Sequence, residues 1–108
     1  SGLGPAFGQA GFFKKQAAEP QPIAIARFEA DAARTAAVLD GVLGRHAFVA
    51  GDMFSIADIA HFGWLWRRAF AEVDISGLPH LSRWLADVVA RPAVIRAIAR
   101  VEALAPAA

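Results

Sequence analysis

The tetrapeptide Ser55-Ile56-Ala57-Asp58 is the feature that most narrows the folds open to this chain of 108 residues. A serine three residues before an aspartate is typical of a capping box. In that motif the Ser55 hydroxyl accepts from the Asp58 amide, and the Asp58 carboxylate accepts from the Ser55 amide. The residues that follow are almost all apolar as far as Arg67. The pattern therefore predicts a helix over 56–70 that is central and the most buried of the fold.

Helical periodicity extends over most of the remaining chain. Across residues 23–43, apolar side chains recur at steps of three and four, which is typical of an amphipathic helix. We expect Gly44 to end this helix as a left-handed cap. Two further helices are predicted to begin at Pro79 and Pro92, because proline is favoured at the first helical position. The segment 3–18 is interrupted by glycines and predicts only a short or distorted helix.

The amino-acid composition favours an all-α fold. Alanine, the best helix former, occurs 26 times, whereas Val, Ile and Thr, which favour strands, together occur 16 times. No linker or repeat divides the chain. We therefore expect a single helical domain over residues 1–108, built as a helical bundle around the 55–70 helix.

Charge and residue inventory argue against several classes of function. A formal net charge of +1 gives no electrostatic case for binding nucleic acid, and the absence of cysteine excludes disulfides and thiol nucleophiles. The three histidines lack the i, i+4 spacing of a helical metal site, so no metal is expected.

The longest apolar stretch, 47–66, contains two aspartates, which is unfavourable for a membrane span. Because the first residues also lack a signal-peptide layout, we expect a cytoplasmic protein.

Most side chains that could do chemistry have a structural interpretation. Ser55 and Asp58 are interpreted as a structural capping box rather than a catalytic pair, since capping uses both polar groups. The tryptophans stand at helical spacing among aliphatic residues and are interpreted as core. Lys14-Lys15 and Arg67-Arg68 are interpreted as solvated surface charge.

Arg27 is the one side chain that we single out as a candidate for ligand binding. It lies near the start of the 23–43 helix, one turn before Asp31. One interpretation is an exposed i, i+4 ion pair with Asp31. The other is a guanidinium that binds a carboxylate near the helix N-terminus, where the helix dipole also favours anions. The spacing alone leaves both open.

Four stretches of the sequence resemble the second half of glutathione transferases. Residues 48–66, FVAGDMFSIADIAHFGWLW, resemble the family's loop and [ST]-x-A-D capping box. Residues 78–97, LPHLSRWLADVVARPAVIRA, resemble its P-x-L-x-x-W … R-P-A ending. The upstream stretches GLGPAFGQAGFF and AIARFEADAARTAAVLDGVL are most similar to the nu-class bacterial members and their fungal prion-regulator relatives. At Phe62-Gly63 the sequence departs from the family's usual Trp-Pro. The local geometry of the helix here is therefore expected to differ from that of the family, whereas the function is not.

The resemblance implies the all-α helical bundle of the glutathione transferase C-terminal domain type. It also implies that the N-terminal thioredoxin-like domain, which binds glutathione and activates its thiol, lies outside residues 1–108. By this comparison the chain begins inside a helix and is a C-terminal-domain fragment. We expect it to be inactive alone, and an intact parent to be a glutathione-dependent transferase or disulfide reductase.

The resemblance also implies roles for particular residues. Arg27 matches an arginine that helps hold glutathione in nu-class relatives, and Phe12 or Phe13 aligns with an aromatic residue of the electrophile pocket. The expected partners are glutathione as co-substrate, a small electrophile or disulfide substrate, and a second copy of the chain in a homodimer. The alternative is a non-enzymatic protein-interaction module, because the same helical domain serves as a docking unit in translation factors and synthetases.

Overall fold

The computed structural model describes residues 2–104, which fold into six helices without a strand. Their bounds are α1 Leu3–Lys15, α2 Pro22–Leu43, α3 Ile56–Trp66, α4 Arg68–Ala71, α5 Pro79–Val89 and α6 Pro92–Leu104. The all-α prediction is confirmed, and prolines begin α5 and α6 at the predicted positions. Within residues 2–104, no helix is both long and apolar enough to cross a membrane.

One hydrophobic core joins α1, α2, α3 and α5. The largest fully buried apolar side chains are Trp84, Phe7, Leu65, Leu81 and Val88. On α2 the buried positions include two alanines, Ala32 and Ala36, whose small side chains allow a close approach by α1. The core therefore combines large side chains from α1, α3 and α5 with both small and large ones from α2.

Helix α1 is regular, contrary to the expectation of a short or distorted segment. Its glycines accommodate aromatic rings from α3 and α4 that lie against its backbone. A Cβ atom at Gly4 would lie 2.9 Å from Nε1 of Trp64, and one at Gly11 would lie 2.1 Å from the ring of Phe70. Glycine is thus required here by close packing, and neighbouring helices compensate for its poor helix propensity.

Helix α3 begins as predicted but differs from the expectation in length and burial. It ends at Trp66, and the chain turns at Arg67 into the short α4. Only three of its residues are buried, and Ile56 is 83% exposed. The expectation that this helix is the most buried is wrong, because α1 and α5 cover only part of its apolar surface.

The end of α2 and the start of α5 cap each other. The Asp40 carboxylate accepts from the Leu81 amide at 2.9 Å, and the Arg83 guanidinium donates to the Leu43 carbonyl at 3.0 Å. Gly44 closes α2 in a right-handed conformation, with φ −74°, so the predicted left-handed cap is wrong. A Cβ atom there would lie 3.0 Å from the imidazole of His80, so Gly44 allows the two helices to approach.

Candidate functional site

Arg27 lies exposed on α2 beside a shallow hollow of about 290 Å³. Ala30, Asp31 and Arg34 complete its lining. The Asp31 carboxylate is bound by Arg34 rather than by Arg27, since Asp31 Oδ1 accepts from Arg34 Nη2 at 2.8 Å and from Nε at 3.1 Å. The ion pair between Arg27 and Asp31, one of the two interpretations that the spacing left open, is therefore not formed. Among residues 2–104, no carboxylate lies within ion-pair distance of Arg27.

Phe12 and Phe13 lie at the end of α1, where they form an aromatic cluster with α2. The rings of Phe12 and Phe13 meet edge to face at 5.0 Å. Phe13 in turn stacks on Phe28 at 5.7 Å with nearly parallel planes. Phe12 is 41% exposed, whereas Phe13 is half-buried. Since Phe28 follows Arg27 in the chain, the stack connects the end of α1 to the segment of α2 that carries Arg27.

Lys14 fixes the end of α1 to the neighbouring helices. Its ammonium donates to the Ala71 carbonyl at 3.0 Å and pairs with the Glu29 carboxylate at 2.9 Å. The side chain is only 10% exposed. Lys14 is therefore more than the solvated charge that the sequence suggested. The signal that could have found it is its place in the last turn of a helix, where a cation can reach carbonyl groups.

Ser55 and Asp58 form the predicted capping box, and their polar atoms are used in structure. The Ser55 hydroxyl accepts from the Ala57 amide at 3.2 Å, and the Asp58 carboxylate accepts from the Ser55 amide at 2.9 Å. Asp58 also accepts from the Val49 amide at 3.0 Å and from the Trp84 indole at 2.8 Å. These three hydrogen bonds occupy both carboxylate oxygens of Asp58, which supports its interpretation as a structural residue.

The same contacts determine the charge state of Asp58. Burial raises its pKa, but the hydrogen bonds from the Val49 amide, the Trp84 indole and the Ser55 amide together outweigh burial. The pKa of Asp58 therefore lies below its ordinary value. The side chain is fully buried as a charged, hydrogen-bonded group.

Two of the three histidines have a polar neighbour. His61 Nδ1 lies 2.7 Å from the Ala57 carbonyl, one turn earlier in α3. His46 lies beside Asp52 at 3.8 Å. The part of the chain from residue 2 to residue 104 contains no group of three or more His, Cys, Asp or Glu that could hold a metal ion.

Two apolar cavities lie beside α3, and the sequence did not indicate them. The first, of about 450 Å³, is lined by Phe7, Trp64 and Phe70 with four other residues. The second, of about 390 Å³, lies between α3 and α6. Trp64 is 40% exposed, and only Trp84 is fully buried among the three tryptophans. The interpretation of all three as core is therefore right for Trp84 and wrong for Trp64.

This arrangement of helices and capping box belongs to a known family. Residues 7–92 match the glutathione S-transferase, C-terminal domain family. The chain belongs to this family. The resemblance to the second half of glutathione transferases and the all-α fold that it implied are thereby confirmed, whereas the similarity to the nu class stays a prediction.

Similar proteins include a curated relative and solved structures. The disulfide-bond oxidoreductase YfcG of Escherichia coli is 32% identical over 103 residues, which are 94% of this chain and 47% of YfcG. A glutathione transferase family member from Pseudomonas fluorescens, solved with two glutathione molecules bound, has a TM-score of 0.80 at 42% identity. That match covers 88% of this chain and 45% of the other.

A glutathione transferase from Burkholderia graminis gives a similar match. It was solved with two glutathione molecules bound per subunit, and it has a TM-score of 0.81 at 41% identity. The match covers 88% of this chain and 42% of the other. The chain thus spans less than half the length of each of these three relatives.

Proposed function

We propose that residues 1–108 form the helical domain of a glutathione-dependent enzyme, a transferase or a disulfide reductase. In this proposal a thioredoxin-like domain binds glutathione and activates its thiol, and the helical domain completes the site. The support comes from relatives: two structures similar to this domain hold glutathione, and YfcG is a disulfide-bond oxidoreductase. The enzyme works in the cytoplasm as a homodimer, as the resemblance implies.

Arg27 contributes to the glutathione site by binding a carboxylate of the tripeptide. The observation that carries this role is the pairing on α2: Arg34 occupies the nearby Asp31 carboxylate, while Arg27 lies beside the hollow with no carboxylate within ion-pair distance in residues 2–104. A guanidinium can bind a carboxylate through two parallel hydrogen bonds. Glutathione supplies such carboxylates, and the Arg27 guanidinium can bind one of them by donating hydrogen bonds to it.

Phe12 and Phe13 form part of the wall of the electrophile pocket. The exposed ring of Phe12 offers an apolar surface, and the stack of Phe13 on Phe28 holds that surface in place. Aromatic surfaces of this kind pack against the apolar part of a small electrophile or disulfide substrate. The substrate's reacting atom would meet glutathione outside this domain.

Titration of glutathione into the full-length polypeptide that contains this domain tests the role of Arg27. Arg27→Ala should weaken binding about ten- to a hundred-fold, since it removes a charge-assisted hydrogen-bonded pair. Arg27→Lys should recover only part of the loss, because an ammonium lacks the two-pronged geometry of a guanidinium. Arg100→Ala, which removes an exposed arginine of α6, is the matched control and should leave binding unchanged.

Calorimetry on these variants separates the two interpretations of the domain. Equal affinity of the wild type and Arg27→Ala would remove Arg27 from the site. Failure of the full-length wild type to bind glutathione would contradict the enzyme and favour the non-enzymatic interaction module. Thermal melts run in parallel should show little change for either alanine variant, because both arginines are exposed.

A further inference from the structure

The last turn of α1 depends on contacts other than those of the hydrophobic core. The buried residues of α1 all precede Phe12 in the chain; they are Leu3, Ala6, Phe7, Ala10 and Gly11. Phe12 itself is 41% exposed. Because the ends of helices fray unless further contacts hold them, the position of the Phe12 ring depends on what fixes residues 12–15.

The Lys14 ammonium supplies a contact that joins this turn to two other helices. It donates to the Ala71 carbonyl of α4 at 3.0 Å and pairs with the Glu29 carboxylate of α2 at 2.9 Å. The Lys14 side chain is only 10% exposed, and a charged group is buried to this extent only where such partners compensate for the lost water. The contact is therefore a bridge between α1, α2 and α4 rather than a surface ion pair.

The Lys14 bridge lies directly beside the aromatic stack between α1 and α2. Phe13 and Lys14 are adjacent on α1, and their partners Phe28 and Glu29 are adjacent on α2. Stacked rings attract each other through dispersion, which tolerates small displacements, whereas a hydrogen-bonded ion pair requires a particular distance and direction. The bridge thus fixes the register of the last turn of α1 on α2, and with it the ring of Phe12, which meets Phe13 edge to face.

Lys15 is the natural comparison, because it lies next to Lys14 and contacts the same short helix. Its ammonium donates to the Ala69 carbonyl of α4 at 3.0 Å and is exposed. Among residues 2–104, no carboxylate lies within ion-pair distance of Lys15. Lys15 therefore joins α1 to α4 alone, whereas Lys14 also joins α1 to α2.

We propose that Lys14 is a positioning residue that holds the apolar wall formed by Phe12. The ammonium does not touch the substrate and acts through the position of the last turn of α1. This inference rests on the proposed role of Phe12 and Phe13 in the electrophile pocket. It adds a selectivity: substrates with an aromatic or apolar group beside the reacting atom depend on Lys14, whereas binding of glutathione itself does not.

The test compares glutathione with S-benzylglutathione, which carries a benzyl group on its sulfur atom. Both are titrated calorimetrically into the full-length polypeptide that contains this domain, so the measurement needs no turnover. The wild type should bind S-benzylglutathione about tenfold more tightly, because the benzyl group is buried against Phe12. Lys14→Met should lower this ratio to about threefold or less. The affinity for glutathione should stay within about twofold, since Arg27 lies on α2, which keeps its own core contacts.

Three further variants distinguish positioning from a general loss of structure. Lys15→Met is the matched control and should keep the wild-type ratio. Lys14→Arg should restore most of the ratio, because a guanidinium can also donate to both a carbonyl and a carboxylate. Glu29→Gln removes the charge of the α2 partner at a side chain that is 61% exposed, so the fold should persist while the ratio falls. This last variant decides the question if Lys14→Met proves unfolded by circular dichroism.

Phe12→Ala separates this inference from the proposed function. It should bring the ratio close to one. If it does, but Lys14→Met and Glu29→Gln keep the wild-type ratio, the role of Lys14 is wrong and the wall stands. If Phe12→Ala keeps the wild-type ratio, or if the ratio is near one in the wild type, the wall and the inference are both wrong. An equal fall in Lys15→Met would also contradict the inference, since attachment to α4 alone would then explain the effect.

Discussion

Asp58 connects three separate segments through one buried carboxylate. It receives hydrogen bonds from the loop at Val49, from the helix start at Ser55 and from Trp84 of α5. A capping box alone would need only the bond with Ser55. The additional donors show that the same residue that starts α3 also fixes α5 against it, so its loss affects tertiary packing as well as the helix end.

At the residue scale, Asp58→Ala should destabilise the protein far more than Ser55→Ala. Removing the Ser55 hydroxyl costs about 1 kcal/mol, as for other N-caps. Removing the Asp58 carboxylate leaves the buried Trp84 indole and the partly buried Val49 amide without a partner, for an expected cost of about 3 kcal/mol or more. Urea melts give both free energies of unfolding. The double variant should lose less than the sum of the two, since both side chains belong to one network; equal costs for the two single variants would contradict this account.

The pH dependence of Asp58→Asn provides a check with a definite sign. Because the pKa of Asp58 is lowered in the folded protein, the charged form contributes stability above the unfolded value of about 3.9. That contribution is lost as the pH falls through the folded pKa. The difference in unfolding free energy between the wild type and Asp58→Asn should therefore shrink between pH 5 and the acid limit of folding. A constant difference over that window would show that the charge does not contribute.

At the scale of elements, α1 uses its glycines as a docking face for aromatic rings. Gly4 lies against Trp64 of α3, and Gly11 lies against Phe70, which belongs to α4. Gly41 of α2 differs, because a Cβ atom there would meet nothing within 4 Å. The two kinds of helical glycine thus offer a direct comparison between close packing and backbone freedom.

Alanine substitution should have opposite effects at Gly11 and Gly41. Gly41→Ala should stabilise the protein by about 0.4–1 kcal/mol through helix propensity. Gly11→Ala should destabilise it by about 1–3 kcal/mol, since the new methyl group would displace the ring of Phe70. Thermal and urea melts measure both. In a Phe70→Ala background the cost of Gly11→Ala should disappear; if it persists, packing against Phe70 is not the cause.

Local signals in the sequence predicted the ends of helices better than the contacts between them. The capping box and the prolines that begin α5 and α6 act through neighbouring residues, so they are visible in the sequence. Gly44 was misinterpreted because a left-handed cap and a close approach by His80 both favour glycine. Only the packing of a distant helix distinguishes the two.

The candidate site was predicted in part for the same reason. Its position near the start of a helix singled out Arg27, and the spacing offered Asp31 as its partner, but Arg34 lies similarly near Asp31 along the helix and takes the pair. Competition between two arginines for one carboxylate depends on side-chain geometry, which spacing does not fix. The pairing of Asp31 with Arg34 therefore emerged only from the structure.

At the scale of the whole molecule, the helices differ in how firmly the fold holds them. Helix α5 has four buried residues, including the fully buried Trp84 and Val88. Helix α6 has none, and its attachment depends on the half-buried Val94 and Ile98. Because stability follows buried apolar contact, α6 should open without the rest of the molecule unfolding.

Amide hydrogen exchange in the chain of 108 residues should therefore show two levels of protection. Amides in the middle of α5 should exchange only through global unfolding, whereas those of α6 should exchange at least about a hundredfold faster through local opening. Val88→Ala, at a fully buried position, should accelerate exchange in the middle of α5, since it lowers the global free energy of unfolding. Ile95→Ala, at a position that is 54% exposed, is the control and should leave α5 unchanged. Equal protection of α5 and α6 in the wild type would mean that α6 unfolds only with the core. The partial burial of its own Val94 and Ile98 against the core would then suffice to hold the helix.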